Sequence, residues 1–177
     1  MRLHLLTAAA AIFLAACATT PPASSGPGRL ETGGPVTVSW NDPADFSEMT
    51  RGRDRMETLR GTWVGDLAEY LRDRAAARLP SGERLEVDLL DVDRAGDYEP
   101  WRGPDADDIR ITRDIYPPRI TLHFRHLDAQ GQVLAEGERR LTDPGFMTRS
   151  RVHRDTDALR YEKQLLDDWL DRELGRR

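Results

Sequence analysis

The sequence predicts an α+β fold: a two-layer sandwich in which a four- or five-stranded, mostly antiparallel sheet carries two long helices on one face. Three observations lead to this prediction: segments of alternating apolar and polar residues, two segments whose apolar residues recur at three and four positions, and their order along the chain. That order is β-α-β-(β)-β-β-α, with one short strand optional. A sheet and helices that each have one apolar side bury it most economically against each other.

The first 17 residues are typical of a signal peptide and resemble that of a bacterial lipoprotein. An apolar run of about a dozen residues follows Arg2 and is too short to cross a bilayer as a stable helix. It ends in Leu14-Ala15-Ala16-Cys17, which contains the only cysteine of the chain. We therefore expect lipid attachment at Cys17 and cleavage before it. An ordinary signal peptide with a chance cysteine is the alternative.

Lipid on Cys17 would make the membrane the first partner of this protein, since two or three acyl chains anchor far more firmly than one. The resemblance to lipoproteins also implies sorting, because Ala18, and not the aspartate that commonly retains lipoproteins at the inner membrane, follows the cysteine. The expected location is the periplasmic face of the outer membrane. With its one cysteine acylated, the chain has no thiol for a disulfide, a nucleophile or a thiolate metal site.

Composition divides the remaining chain into a tether and one domain. Residues 18–35 are rich in Pro, Gly, Ser and Thr and have almost nothing apolar to bury, which predicts a disordered tether. Residues 36–177 have the length of a single domain with one core. The formal net charge of −5 argues against nucleic acid as a partner.

The first strand and the first helix follow each other. Val36–Trp40 alternates between apolar and polar residues and stops at Asn41-Asp42-Pro43. From Asp54, which forms a capping-box pattern with Glu57, helical periodicity predicts a helix of about 25 residues that ends at Leu79-Pro80-Ser81-Gly82.

The remaining strands surround a long connection. In the second strand the apolar phase changes at Leu90, so that it either bulges or is buried on both faces, with Asp91 and Asp93 turned outward. A short edge strand is expected around residues 109–111. A third strand around residues 120–124, a turn at residues 128–131 and a fourth strand over residues 133–141 form a hairpin. A last helix over residues 157–174 has a broad apolar stripe.

Residues 91–108 are the candidate binding surface, because loops this long are uncommon unless they are functional or disordered. The segment holds acidic side chains around two aromatic ones, and its candidate site residues are Asp91, Asp93, Asp97, Tyr98 and Trp101. The three carboxylates could form a loose divalent-cation site or a solvated strand end. The aromatic residues could stack on a sugar or peptide, or cover the core.

Other site chemistries find little support. An EF-hand is excluded, because Ala95 and Arg102 stand at the fifth and twelfth positions of a loop that would begin at Asp91. His123 and His126 point to opposite faces of a strand and cannot chelate one ion. The sequence contains no nucleophile elbow and no glycine-rich phosphate loop, so we expect no catalytic residue, metal or cofactor.

Two interpretations remain for Glu162 in the last helix. It forms a surface ion pair, or together with Tyr161 it ties the helix to a neighbouring loop.

Several segments together resemble a known family. They are VSWNDPADFSE, LPSGERLEVDLLDVDRAGDYEPWR, PPRITLHF, LTDPGFM and DALRYEKQLLDDWL. The chain resembles DUF3016, a family of bacterial exported proteins of unknown function, from about Val36 to Leu174, and Tyr161-Glu162-Lys163 with Leu166 and Trp169 is the most specific part. The resemblance implies no activity, ligand or catalytic residue.

Two functions are compatible with these observations. The first is a non-catalytic cell-envelope lipoprotein that binds an envelope protein or a cell-wall polymer. The alternative is a metal-dependent or hydrolytic envelope enzyme that uses the acids of residues 91–108.

Overall fold

The computed structural model describes residues 26–30, 33–51, 62–99, 101, 103, 109–148 and 156–175. Within these ranges the chain forms a short 3₁₀ helix (Pro43–Asp45) and the following strands and α-helices: β1 (Gly28–Arg29), β2 (Val36–Trp40), α1 (Ser47–Arg51), α2 (Trp63–Ala76), β3 (Arg84–Asp93), β4 (Asp97–Tyr98), β5 (Arg110–Ile111), β6 (Arg119–Leu127), β7 (Val133–Thr142) and α3 (Arg160–Glu173). None of the helices in the described ranges is long and apolar enough to span a bilayer.

The main sheet has five strands in the order β1-β2-β3-β6-β7. Only β2 and β3 run parallel, with α2 between them in sequence, and the other three pairs are antiparallel. The predicted α+β class and the mostly antiparallel sheet are therefore confirmed. The hairpin of β6 and β7 also has the predicted turn, in which Asp128 accepts hydrogen bonds from the backbone N–H groups of Gln130 and Gln132.

One core joins one face of the sheet to the two longer helices. The sheet supplies alternate residues of β2, β3 and β6, because successive side chains of a strand point to opposite faces. The helices supply apolar stripes that include Leu67, Leu71, Leu166 and Leu170. The ring of Trp169 meets the ring of Phe124 edge to face at a centroid distance of 5.7 Å, and α2 and α3 contact each other.

The structure decides between the two alternatives for the second strand in favour of a bulge. Leu89 pairs with Leu122 and Asp91 with Thr121, which leaves Leu90 as an extra residue on β3. The bulge changes the apolar phase of β3, so that Val92 faces the core although Leu89, three residues earlier, does so too.

The prediction of a disordered tether over residues 18–35 is wrong for its last part. Gly28 and Arg29 form β1, which pairs antiparallel with β2, and the N–H of Leu30 donates to the carbonyl of Val38 at 3.0 Å. Glycine is required here because a Cβ on Gly28 would lie 2.3 Å from the indole of Trp40. Residues 18–25, like the predicted signal peptide and Cys17, lie outside the described residues.

Two other predicted elements differ from the structure. The segment near Ile111 does form a short strand, but β5 pairs with β4 in a separate two-stranded sheet, since β1 and β7 occupy the edges of the main sheet. The first long helix begins at Trp63, with Thr62 as its N-cap, and is 14 residues long. Asp54 and Glu57, on which the longer helix was predicted, lie outside the described residues.

Candidate functional site

The two strand-end carboxylates of the predicted site are held by internal contacts. The backbone N–H and the hydroxyl of Ser47 donate to the two oxygens of Asp91 at 2.6 and 2.7 Å. Arg119 Nη1 donates to Asp93 Oδ2 at 2.9 Å. Both side chains are on the sheet face opposite the core, as predicted, but they fix the start of α1 and the start of β6 and do not form a solvated acidic end.

The other three predicted residues differ in burial and do not form one surface. Asp97 accepts a hydrogen bond from the N–H of Tyr98 at 2.7 Å. Tyr98 is buried, with the guanidinium of Arg110 5.1 Å from its ring centre, whereas Trp101 is 71% exposed. In the described part of the chain, no three His, Cys, Asp or Glu side chains lie together as metal ligands, so the three aspartates do not converge there.

The end of β3 is the centre of a buried charged cluster, which we call the carboxylate junction and define as Glu48, Arg94, Arg110 and Glu162. Arg94 donates three hydrogen bonds to Glu48, through its backbone N–H at 2.9 Å, through Nε at 3.1 Å and through Nη2 at 2.8 Å. Arg110 Nη2 donates to the same Glu48 oxygen as Arg94 Nη2. The junction thus joins α1, the end of β3 and β5.

Glu162 connects α3 to this junction. Its side chain is completely buried, and Oε1 accepts a hydrogen bond from the N–H of Ala95 at 2.7 Å. Oε2 has no hydrogen-bond partner among the described residues. Burial raises the pKa of the Glu162 carboxyl, the N–H of Ala95 and the charge of Arg94 oppose this increase, and Glu48 adds to it.

Of the two interpretations of Glu162, the loop connection is therefore confirmed. Tyr161 makes a parallel connection, because its ring meets that of Phe146 edge to face at 4.7 Å. A glutamate followed by lysine in a polar helix gives no signal of complete burial, so sequence reasoning could not choose between the two.

A groove lies on the sheet face opposite the core, across β1, β2, β3 and β6. We call it the open-face groove; its volume is about 710 Å³, and it is lined by Pro27, Gly28, Arg29, Ser39, Trp40, Asn41, Asp88, Leu90 and His123. Trp40 lines the groove at the edge of the sheet, but its indole lies on the core side, against the backbone of Gly28. Sequence reasoning missed this site, because its residues come from four segments whose adjacency depends on strand register.

The register places three polar residues side by side in the open-face groove. Ser39 is opposite Asp88 on the neighbouring strand, and Asp88 is opposite His123 on the next. Ser39 Oγ donates to Asp88 Oδ1. The side chains of His123 and Arg29 have no hydrogen-bond or ion-pair partner within the ranges that the structure describes, so they are available to a ligand.

This row does not have the connectivity of a hydrolase triad. A triad needs the histidine between the serine and the aspartate, so that the imidazole can take the hydroxyl proton. Here the aspartate lies between the other two, and the serine hydroxyl donates to the carboxylate. The groups of the groove can donate and accept hydrogen bonds, but among the described residues the Ser39 hydroxyl is bonded to a carboxylate and not to an imidazole.

A protein-family comparison matches residues 34–172 of the chain to the DUF3016 model, described as a protein of unknown function. The chain belongs to the DUF3016 family. The comparisons with curated proteins and with solved structures found no match.

The DUF3016 match covers the carboxylate junction completely and the open-face groove in part. The carboxylate junction lies entirely inside the matched residues, as do Ser39, Asp88 and His123. Strand β1, with Gly28 and Arg29, precedes the match. The DUF3016 domain therefore includes the polar row of the open-face groove, and the segment before the domain supplies the groove's outer wall.

Proposed function

We propose that this DUF3016 protein is a cell-envelope lipoprotein, held by lipid on Cys17 at the periplasmic face of the outer membrane, whose domain binds a cell-wall polymer without catalysing a reaction. The open-face groove is the single observation that carries the binding part of this proposal. The lipid anchor is supported by the sequence around Cys17.

The chemistry of the groove favours a saccharide. Sugars have many hydroxyl groups, which need both hydrogen-bond donors and acceptors. On the open face the groove offers the carboxylate of Asp88, the imidazole of His123 and the guanidinium of Arg29. It lies on an open sheet face, which suits a long chain that enters and leaves the site.

The residues of the predicted binding surface support a different role. Asp91, Asp93 and Tyr98 already have partners inside the domain, whereas Arg29 and His123 have none among the described residues. Binding through the first group would require these internal contacts to break. Binding through the groove requires no such rearrangement.

Sedimentation with purified, insoluble cell wall tests the groove. We expect the full chain to sediment with the wall, and we expect His123→Ala and Asp88→Asn each to weaken binding about tenfold, the effect of losing one hydrogen bond to a charged or polar ligand group. Glu86→Gln is the matched control, because Glu86 is on the same face of β3 but outside the groove lining and pairs with Arg125.

The outcome separates the two partner classes. Equal binding by the parent and the groove variants would contradict the proposal. A photo-crosslinker at Asn41 that yields a protein adduct, with no retention on the wall, would establish an envelope protein as the partner instead.

Fractionation tests the anchor separately. Cys17→Ser removes the atom to which lipid would be attached, so we expect the variant to leave the membrane fraction and to lose incorporation of labelled fatty acid. A variant that fractionates and migrates as the parent does would contradict the lipid anchor and leave the groove proposal unaffected.

A further inference from the structure

Strand β7 is an edge of the main sheet. It is 10 residues long and pairs with β6 on one side, and within the described residues no strand pairs with it on the other. Val133 and Leu134 at its start are 46% and 54% exposed. An exposed strand of this length presents a row of backbone groups that can pair with another strand.

The charges on the outer face of β7 alternate in sign, so that two antiparallel copies of the strand can place opposite charges side by side. Glu136, Glu138 and Arg140 face the side opposite the core, because their partners on β6 are Arg125, His123 and Thr121. Arg140 and Glu138 pair with each other within one copy at 3.0 Å, but both side chains stay accessible, at 84% and 46% exposed. A two-fold axis perpendicular to the sheet at position 139 would place each Glu138 opposite an Arg140.

We propose that β7 pairs antiparallel with β7 of a second copy of this chain, across a two-fold axis at Arg139, so that two five-stranded sheets become one. The pairing satisfies the outward backbone groups of both edges, and the Glu138–Arg140 ion pairs within each copy are extended by two Glu138–Arg140 contacts between the copies. It uses no residue of the open-face groove, so both copies keep their grooves on the same side of the joined sheet.

At the two-fold axis, Arg139 would lie opposite Arg139 of the second copy, but charge repulsion between the two does not oppose the pairing. Its Nε donates to Glu173 of α3 at 2.6 Å, and its guanidinium lies 4.8 Å from the centre of the Phe124 ring. The charge is therefore neutralised on the core side of the sheet, within its own copy. A uniform row of lysines would repel a second copy, whereas this alternation does not.

Sedimentation equilibrium of the full chain with a charge-swap cycle tests the dimer, in a Cys17→Ser background so that no lipid drives association. Glu138→Arg and Arg140→Glu each place like charges opposite one another twice, and each should raise the dimer dissociation constant at least about tenfold. The double variant Glu138→Arg/Arg140→Glu exchanges the charges and should restore the parent value.

Because Glu138 and Arg140 also pair within one copy, an equimolar mixture of the two single variants separates the two effects. The mixture restores opposite charges between copies but not within them, and it should associate as the parent does. Glu86→Lys, on the same face of the central strand β3, should leave the dissociation constant unchanged. The proposal would be overturned if the parent stayed monomeric at a concentration of about 100 µM, which corresponds to a dissociation constant well above the micromolar range. It would also be overturned if the single variants associated as the parent does.

Discussion

Glu162 Oε1 accepts a hydrogen bond from the backbone N–H of Ala95 at 2.7 Å, which connects two residues 67 positions apart in sequence. The bond fixes the first turn of α3 to the loop that follows β3. The carboxyl is completely buried, and its second oxygen has no partner among the described residues. The buried carboxyl should therefore make the stability of the domain depend on pH.

Glu162→Gln should change the pH dependence of stability. Burial raises the pKa of Glu162 in the folded state, so its contribution is fully present below the unfolded pKa of about 4.3 and is lost as pH rises through the folded pKa. The parent should therefore lose stability relative to the variant as pH rises above about 4.3, by at most about 1.4 kcal/mol per pH unit. Urea unfolding at several pH values measures this, and parallel curves for the two proteins would contradict it.

Asp167→Asn should destabilise the contact between α2 and α3. Asp167 accepts hydrogen bonds from the Tyr70 hydroxyl at 2.6 Å and from Arg74 Nε at 2.9 Å, and it lies 3.4 Å from the nearly buried Arg78. The expected cost is about 2 kcal/mol, the loss of hydrogen bonds to a charged group, because Arg78 keeps Asp171 as a partner and Arg74 is 43% exposed. Asp171→Asn, at a more exposed aspartate that also pairs with Arg78, is the control and should cost less than about 1 kcal/mol.

The contribution of Asp167 to stability should decrease at low pH, whereas that of Glu162 decreases at high pH. Burial by itself raises the pKa of Asp167, but the hydrogen bonds from Arg74 and Tyr70 outweigh it and the pKa is lowered. Its contribution is therefore present above the unfolded pKa of about 3.9 and is lost as pH falls through the folded value. The cost of Asp167→Asn should shrink between pH 5 and pH 2, and a cost that is independent of pH would show that the charge is not responsible.

Gly28→Ala should displace β1 from the sheet. The added methyl group would lie 2.3 Å from the Trp40 indole, so one of the two must move. We expect faster hydrogen exchange at the N–H of Leu30, which bonds the carbonyl of Val38, and weaker binding in the open-face groove. Gly65→Ala is the matched control, because it has open space inside α2 and should gain about 0.5–1 kcal/mol of stability. Unchanged exchange at Leu30 would contradict the prediction.

Tyr98→Ala and Trp101→Ala should differ sharply although the residues are neighbours in sequence. Tyr98 is buried against Arg110, and its truncation should cost about 3 kcal/mol. Trp101 is 71% exposed, and its truncation should change the free energy of unfolding by less than about 0.5 kcal/mol. Chemical denaturation of both variants measures this, and similar losses would mean that Trp101 packs against the domain.

Local pattern was sufficient for most elements of the main sheet. The alternation in Val36–Trp40 and in β6 predicted strands because a half-buried strand needs a period of two. The turn at residues 128–131 was predicted from Asp128 and Gly131, whose turn chemistry is local. The helix over Arg160–Glu173 was predicted within three residues at each end, since its apolar stripe is broad.

The candidate sites could be predicted only in part. The sequence indicated that Asp91 and Asp93 end a strand and leave the core face, but their partners Ser47 and Arg119 lie far away in the chain. Strand β1 lies in the segment predicted as a tether, because Gly28 and Arg29 have no apolar pattern and are held by pairing with β2 and by contact with the Trp40 ring.

The sequence by itself determined the α+β class, the identity of the core-facing residues and the family to which the chain is similar, because these follow from periodicity and from residue types at short range. Only the tertiary structure decided that Glu162 is completely buried and that Ser39, Asp88 and His123 form one row. The reason is physical: burial and strand register are set by contacts between distant segments, and neither has a local signal in the chain.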